Sequence, residues 1–258
     1  MKKGQTFRKV AFLDTNTLHY MRLCLEYAKK NDLRFPTDKQ AISVLKDHFD
    51  CIPEDSLKES LQKGLEIIIK LSTNDVQIEY APVSELEMLT GIAGGKARIK
   101  MAKEGIPNRM WSRSSEKDIR DRITTNDLAI IKTRIDELGP MLEESGVTIT
   151  RSDINRTNEV IELANGIASL IYMEEIDSII YASAVAAGAD YLVTVDGYLR
   201  ETVNKIHNSR DQRYKEIRQK LEGRVIEVIL KKTRGKFELP RAFTVTYNGK
   251  LKGVTSFP

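Results

Sequence analysis

Short apolar segments, each leading through a polar residue into a longer helical pattern, constrain the fold of this chain more than any other feature of the sequence. Lys9–Leu13 (KVAFL), Val76–Tyr80, Val147–Thr150, Tyr191–Val195 (YLVTV) and Val225–Leu230 are predicted strands. Apolar strands that alternate with helices are typical of parallel sheets whose two faces are both covered. The sequence therefore predicts an α/β fold, with a mostly parallel central sheet and helices on both faces.

Apolar residues at helical spacing predict the elements between these strands. The predicted helices are one that starts at Asp14-Thr15-Asn16, Gln40–Phe49, Leu57–Leu71, one that starts at Pro82 and ends before Gly94-Gly95, Glu116–Glu144, Asn155–Tyr172, Asp177–Ala187 and Tyr198–Leu221. The glycine-punctuated tail after Lys231 is predicted to form a hairpin. We interpret the 258 residues as one domain, with a basic, helical insertion at about 94–145 and a basic C-terminal extension at about 231–258.

Composition restricts the location that the sequence predicts. No stretch approaches the roughly 18 to 20 apolar residues of a membrane span, so no membrane association is expected. Cys24 and Cys51 have neither the spacing of a metal motif nor the density of a disulfide scaffold. A reducing, cytoplasmic location is therefore expected.

The net charge of +4 conceals an uneven distribution. Residues 94–134 contain 11 Lys and Arg against 5 Asp and Glu, and residues 205–258 contain 14 against 5. The rest of the chain is correspondingly acidic. Two basic segments attached to an acidic body suit a polyanionic partner such as nucleic acid, although each segment could also be an ordinary solvated helix face.

Four acidic residues stand where such a fold would gather side chains. Asp14 follows the first strand and Asp196 follows YLVTV, and ligands of parallel sheets bind at the carboxyl ends of strands. Asp177 opens a helix rich in small residues that can pack closely on the sheet, and Glu87 lies among apolar neighbours in an early helix. Each has a simpler explanation: Asp14 as a helix cap, Asp177 as a partner of the helix dipole, Asp196 as part of an Asp-Gly turn, and Glu87 as a rim residue with Glu85 as a rival.

Together, these carboxylates would require a cation. Two like charges about 4 Å apart repel by on the order of 4 kcal/mol at an effective dielectric constant near 20. Oxygen ligands favour Mg²⁺ or Mn²⁺, whose coordination is commonly completed by water and substrate phosphate. The set therefore suggests a phosphodiester substrate, hydrolysed by a metal-activated water.

The motifs that carry these acids resemble those of PIN-domain nucleases. FLDTN ends the first strand, SELEMLTG forms an early helix, and DSIIYASAVAAGADYLVTVD joins the later helix to a strand. The resemblance implies a PIN-like α/β/α sandwich and metal-dependent endonucleolytic cleavage of single-stranded or structured RNA. It also implies Asp14, Glu87, Asp177 and Asp196 as catalytic metal ligands for Mg²⁺ or Mn²⁺. Accessory roles would fall to Asn16 and Thr194 as polar helpers, Glu174 as an auxiliary ligand and Glu85 as the alternative to Glu87.

The insertion and the tail depart from the compact toxin-type members of that family. A toxin paired with an antitoxin, an RNA-processing enzyme with another protein partner, and a homo-oligomer all remain open. In the insertion, Arg98, Lys100, Arg109 and Arg113 surround Trp111, a combination suited to gripping RNA through phosphates and an unstacked base. A lone tryptophan is more often a packing residue.

Three other functions compete with the ribonuclease interpretation. A phosphatase of the haloacid-dehalogenase type also begins with an aspartate after an apolar strand, but Asn16 replaces the second acid of its DxD motif. An inactive PIN-like module would bind RNA or protein through the basic segments without cutting. Cleavage of DNA flaps is the third alternative.

Overall fold

The computed structural model describes residues 9–73, 76–111, 116–152, 157–219, 241–245 and 251–252. The strands are β1 (Lys9–Leu13), β2 (Val76–Tyr80), β3 (Ile149–Arg151), β4 (Tyr191–Val193), β5 (Arg241–Val245) and β6 (Leu251–Lys252). The helices are α1 (Thr15–Lys30), α2 (Lys39–Asp50), α3 (Asp55–Ser72), α4 (Pro82–Lys103), α5 (Asn108–Trp111), α6 (Glu116–Arg122), α7 (Thr125–Asp136), α8 (Leu138–Glu144), α9 (Thr157–Ala168), α10 (Glu175–Ala187) and α11 (Gly197–Asn208). Residues 212–219 are also helical.

The strands form one sheet in the order β3-β2-β1-β4-β5-β6. The pairs from β3 to β5 are all parallel, and β6 runs antiparallel to β5. The predicted α/β fold with a mostly parallel sheet is confirmed. The antiparallel β5–β6 pair agrees with the predicted hairpin, and β5 also joins the central sheet beside β4.

Alternation along the central strands divides the core into two layers. Ala11 and Leu13 of β1 belong to a cluster with residues of α1, α3 and α4, whereas Phe12 belongs to a cluster with residues of α9, α10 and α11. In β4, Val193 lies in the first cluster and Leu192 in the second. Because successive side chains of a strand point to opposite faces, these clusters are the helical layers on the two sides of the sheet. Among the described residues, no helix combines the length and apolar character needed to cross a bilayer.

Several predicted boundaries differ from the observed ones. Glu116–Glu144 was predicted as one helix, but it is divided among α6, α7 and α8. The predicted helix Tyr198–Leu221 is interrupted at 209–211, and the third strand lies at Ile149–Arg151 in place of Val147–Thr150. β4 ends at Val193 and α9 ends at Ala168, so both are shorter than predicted. The predicted strand Val225–Leu230 lies outside the described residues.

The prediction that Gly94-Gly95 ends a helix is wrong, because α4 continues through both glycines to Lys103. Tertiary contacts on the far side of the glycine pair offset its low helix propensity. Lys96 and Lys100 each place an ammonium group on the carboxylate of Asp127 in α7, at 2.7 and 2.6 Å. These hydrogen bonds hold the pKa of Asp127 well below its usual range. The start of the basic insertion is therefore an extension of α4 against which α7 packs.

Replacing Gly94 with alanine should stabilise the protein by about 0.5–1 kcal/mol, because a Cβ at this helical position meets no atom within 4 Å. Gly64→Ala is the matched control in α3. Its Cβ would lie 2.1 Å from the carbonyl oxygen of Tyr20, so this variant should be clearly destabilised. Urea unfolding of both variants measures the difference. A destabilised Gly94→Ala would contradict the continuous helix.

Candidate metal centre

The parallel pairing of β1 with β4 places two strand ends side by side. Leu13 is in register with Val193, and the backbone N–H of Asp14 donates to the carbonyl of Val193 at 3.0 Å. The residues that follow the two strands are Asp14 and Thr194, and both are buried. This pairing therefore brings Asp14 and Thr194 to the same end of the sheet, where the sequence analysis expects a common crevice.

Thr194 connects Asp14 and Asp196 at the carboxyl ends of β1 and β4. Its hydroxyl donates to Oδ2 of Asp14 at 2.8 Å and accepts from the backbone N–H of Asp196 at 2.9 Å. A hydroxyl can donate once and accept at the same time, so both interactions can form together. Thr194 thereby orients the Asp14 carboxylate and the backbone that carries Asp196.

Asp14 and Asp196 both precede a helix, but only Asp196 caps one. Oδ1 of Asp196 accepts from the N–H groups of Tyr198 and Leu199 at 2.7 and 2.9 Å. N-capping alone is therefore sufficient to explain an aspartate at this position. Its other oxygen, Oδ2, has no hydrogen-bond partner among the described residues. Asp14 occupies the N-cap position of α1 but makes no side-chain capping bond, so capping does not account for it.

The side chains of Glu87 and Glu85, the two alternatives for the same role, have different environments in the structure. Glu85 accepts from the hydroxyl of Tyr80 at 2.8 Å and pairs with Arg151 at 3.2 Å. Oε2 of Glu87 is buried and has no hydrogen-bond partner in the described structure. α4 packs on α1, which begins directly after Asp14, and on α10, which carries Asp177. Glu85 therefore serves a structural pair, while Glu87 is left with an unsatisfied carboxylate oxygen.

Asp177 lies in the first turn of α10, and Glu174 stands at the N-cap position of that helix without making a capping bond. Ala182, Ala184 and Ala186 are buried, so small side chains pack this helix against its neighbours as the sequence suggested. The helix ends at Gly188, whose φ of 69° is a left-handed conformation that suits glycine.

The effects of these carboxylates on one another's pKa values indicate that the four acids lie near one another. Burial raises the pKa of Asp14 to about 6; the Thr194 hydrogen bond opposes the rise, and Glu87 and Asp196 add to it. Burial also raises the pKa of Asp177 to about 7, with further increases from Asp14, Asp196, Glu174 and Glu87. The charged groups that contribute most to both shifts are all carboxylates. This cluster is therefore held together against its own repulsion.

As they stand, no three His, Cys, Asp or Glu side chains within the described ranges are arranged to hold one metal ion. The chemistry of the donors nevertheless fits a hard divalent cation, since every member is a carboxylate oxygen. The buried, unpartnered oxygen of Glu87 gives a second indication, because such atoms are rare in native structures unless a water or ion satisfies them.

Two buried hydroxyls at the same helix starts were missed by the sequence analysis. Thr15 follows Asp14, Ser84 precedes Glu87 by one helical turn, and the Oγ atoms of both lack hydrogen-bond partners among the described residues. Only the unusual position of a polar residue on an apolar face could have indicated them. Asn16, predicted as a polar helper, is exposed in the first turn of α1.

The residues predicted to grip RNA have different environments. Arg98 and Arg109 are exposed. The ammonium of Lys100 is engaged by Asp127 and by the carbonyl of Arg122 at 2.7 Å. Trp111 is partly buried, and its indole N–H donates to the carbonyl of Ile106 at 3.0 Å, which favours packing over base stacking. Arg113 lies outside the described residues.

Comparison of the chain with protein-family models, curated proteins and solved structures gives no match. The functional assignment therefore depends on the motifs and on the geometry of the carboxylates.

Without metal, Asp14→Asn should stabilise the protein at pH 8. The pKa of Asp14 is raised from 3.8 to about 6, so folding favours the protonated form. The resulting stability is present below about pH 4 and is lost as the pH rises through 6, by up to about 3 kcal/mol. The amide of asparagine carries no charge to lose.

Thermal unfolding of both proteins in EDTA, from pH 4.5 to 8, tests this effect. The variant should melt higher at pH 8, and the difference should shrink towards pH 4.5. A wild-type protein that is the more stable of the two at pH 8 would contradict the unfavourable burial of this charge.

Proposed function

We propose that this protein is a Mg²⁺- or Mn²⁺-dependent endoribonuclease that hydrolyses RNA phosphodiester bonds. The observation that carries the proposal is the convergence of Asp14, Glu87, Asp177 and Asp196 at the carboxyl ends of β1 and β4, where two pKa values are raised mainly by burial and neighbouring carboxylates. Structural roles account for Asp196 in part and for Glu85 in full, but not for Asp14 or Glu87. Within the described residues, the charged neighbours that shift the pKa values of Asp14 and Asp177 are carboxylates and include no cationic side chain, which favours an exogenous cation.

The arrangement suits a magnesium-type ion better than a closed structural site. Mg²⁺ keeps several waters and commonly binds through one or two carboxylates together with substrate phosphates. A site of this kind does not require three protein ligands around one point, so it is compatible with the finding that no such group of three is present among the described residues. Asp14 and Asp196 are the proposed principal ligands, and Asp177 and Glu87 would complete the site or orient water.

The protein's own groups have defined tasks in this proposal. Thr194 holds one oxygen of Asp14, and the first turn of α11 holds one oxygen of Asp196, so both carboxylates are fixed before any ligand arrives. Asp177, whose pKa is about 7, can accept a proton from a water molecule near neutral pH. A bound Mg²⁺ or Mn²⁺ would supply the charge that lowers the pKa of a water and stabilises the leaving oxygen. Hydrolysis should leave a 5′-phosphate and a 3′-hydroxyl.

The basic surface favours a polymer over a small phosphate ester. Glu87 and the exposed Arg98 are on the same helix, 11 residues apart, so their Cα atoms are separated by roughly 16 Å along the axis. Arg109 adds a further exposed cation to the same segment. A single phosphate at the carboxylates cannot also reach Arg98, whereas a strand of several nucleotides can.

Wild-type protein should cleave RNA when Mn²⁺ or Mg²⁺ is added, and Asp14→Asn and Asp196→Asn should each abolish the cleavage. The loss should exceed the 10- to 100-fold effects typical of groups that only support a metal ligand. The assay incubates each protein with mixed RNA and mixed DNA, with and without Mn²⁺. Undiminished cleavage by both variants would refute the site.

The same assay separates the competing functions. Cleavage of DNA alone would favour a DNA nuclease. Tight RNA binding without any cleavage would favour an inactive binding module, and release of phosphate from small esters would favour a phosphatase. Melting curves give a readout independent of activity: Mn²⁺ should raise the melting temperature of wild-type protein far more than that of Asp14→Asn.

Glu87→Gln should reduce RNA cleavage at least tenfold with little loss of stability, because its buried Oε2 has no partner to lose. Glu85→Gln on the same helix is the matched control. It should keep the cleavage rate but lower the melting temperature slightly, since the ion pair with the partly exposed Arg151 contributes at most about 1 kcal/mol. Initial rates and melting curves for both variants test the pair. Loss of cleavage in Glu85→Gln but not in Glu87→Gln would assign the proposed metal-site role to Glu85.

A further inference from the structure

Two tyrosines beside the carboxylates present their side chains to solvent. Tyr172, in the segment that leads into α10, is 80% exposed, and Tyr198, in the first turn of α11, is 50% exposed. A single exposed aromatic residue is ordinary on a protein surface. A pair at the starts of the two helices that carry Asp177 and Asp196 requires a more specific explanation.

Hydrogen bonds fix the position of this pair relative to the acids. The backbone N–H of Tyr198 lies 2.7 Å from Oδ1 of Asp196. The hydroxyl of Tyr198 donates to the backbone carbonyl of Tyr172 at 3.0 Å, which ties the two segments together. Tyr198 is therefore oriented before any ligand binds, which lowers the entropic cost of a contact with its ring.

We propose that Tyr172 and Tyr198 form a stacking platform for an unpaired base of single-stranded nucleic acid next to the bond that is cut. The inference rests on the proposed nuclease function and names its substrate class. Bases offer flat faces to aromatic rings, and stacking of this kind accepts any base sequence. In a duplex those faces are covered by neighbouring bases, so the platform selects unpaired strands.

Charge around the platform suits the backbone of such a strand. Arg200 lies one helical turn beyond Asp196 on α11, and the exposed Arg210 follows the end of that helix. The second basic segment begins at Lys205 on the same helix. The backbone of a strand with one base on the tyrosines would therefore meet cations farther along α11. An acidic peptide would meet the same cations but would gain nothing from the exposed rings beside four carboxylates.

The test is a double-mutant cycle between the tyrosines and the bases of a labelled oligonucleotide. The probe is a single-stranded oligoribonucleotide of about ten nucleotides, compared with matched probes in which one nucleotide at a time is abasic. Binding is measured by fluorescence anisotropy in EDTA with Asp14→Asn as the parent protein, so that no cleavage occurs. Tyr172→Ala and Tyr198→Ala should each weaken binding between about fivefold and a hundredfold. One abasic position should cause a similar loss in the parent and little further loss in the alanine variants.

Conservative and distant variants control for folding. Tyr172→Phe keeps the ring and should bind like the parent, and Val44→Ala removes an exposed apolar group on α2 and should have no effect. A duplex probe should bind more weakly than the single strand, and a single-stranded DNA probe should show the same tyrosine dependence because it carries the same bases. Parent-like binding by both alanine variants, an abasic loss that persists undiminished in them, or no binding by the parent would overturn the platform.

The result is independent of the cleavage assay. If the cycle shows coupling but wild-type protein with Mn²⁺ cuts no nucleic acid, the platform stands and the nuclease proposal fails. If wild-type protein cuts RNA but the cycle shows no coupling, the nuclease proposal stands and the platform fails.

Discussion

The pairing of β1 with β4 is the interaction on which the acidic centre depends. The carbonyl of Val193 accepts both the backbone N–H of Asp14 and the hydroxyl of Thr17, each at 3.0 Å, and so fastens the start of α1 to the end of β4. In this register Thr194, which directly follows β4, donates a hydrogen bond to the carboxylate of Asp14. A slip of one residue would turn Thr194 to the opposite face and leave Asp14 buried without its hydrogen bond. The chemistry of the site is therefore set by strand register as much as by the identity of the acids.

Burial of like charges makes the end of the sheet at Asp14 and Asp177 unfavourable for folding near neutral pH. The raised pKa values of Asp14 and Asp177 mean that folding opposes ionisation of both groups near neutral pH. The two apolar layers on either side of the sheet offset this cost. Active sites are commonly maintained at such a cost, because the same crowding that destabilises the free protein strengthens its affinity for a cation or a substrate that relieves it.

The sequence predicts the parts of the fold that local pattern determines. The bounds of β1 and β2 and the end of α10 at Gly188 follow from apolar runs and turn residues, and the structure confirms them. The continuation of α4 through Gly94-Gly95 could not be predicted, because Asp127 contributes its stabilising contacts from a separate helix. The choice between Glu85 and Glu87 was open for the same reason, since the partner of Glu85 is on β3. The platform proposed for Tyr172 and Tyr198 could not be predicted either, because it depends on their exposure, which is a property of the folded surface.

Helix dipoles offset part of the negative charge of the four carboxylates. α1 begins after Asp14, α11 begins after Asp196, and Asp177 lies in the first turn of α10, so three helix N-termini face the acidic cluster. Each supplies roughly half a positive charge, about 1.5 in total, against as many as four negative charges. The negative charge that remains is roughly what one divalent cation would neutralise, and a substrate phosphate would add to it. Backbone dipoles can therefore hold the carboxylates in place but cannot neutralise them, and this deficit is the physical argument for the proposed metal-dependent reaction on a phosphate ester.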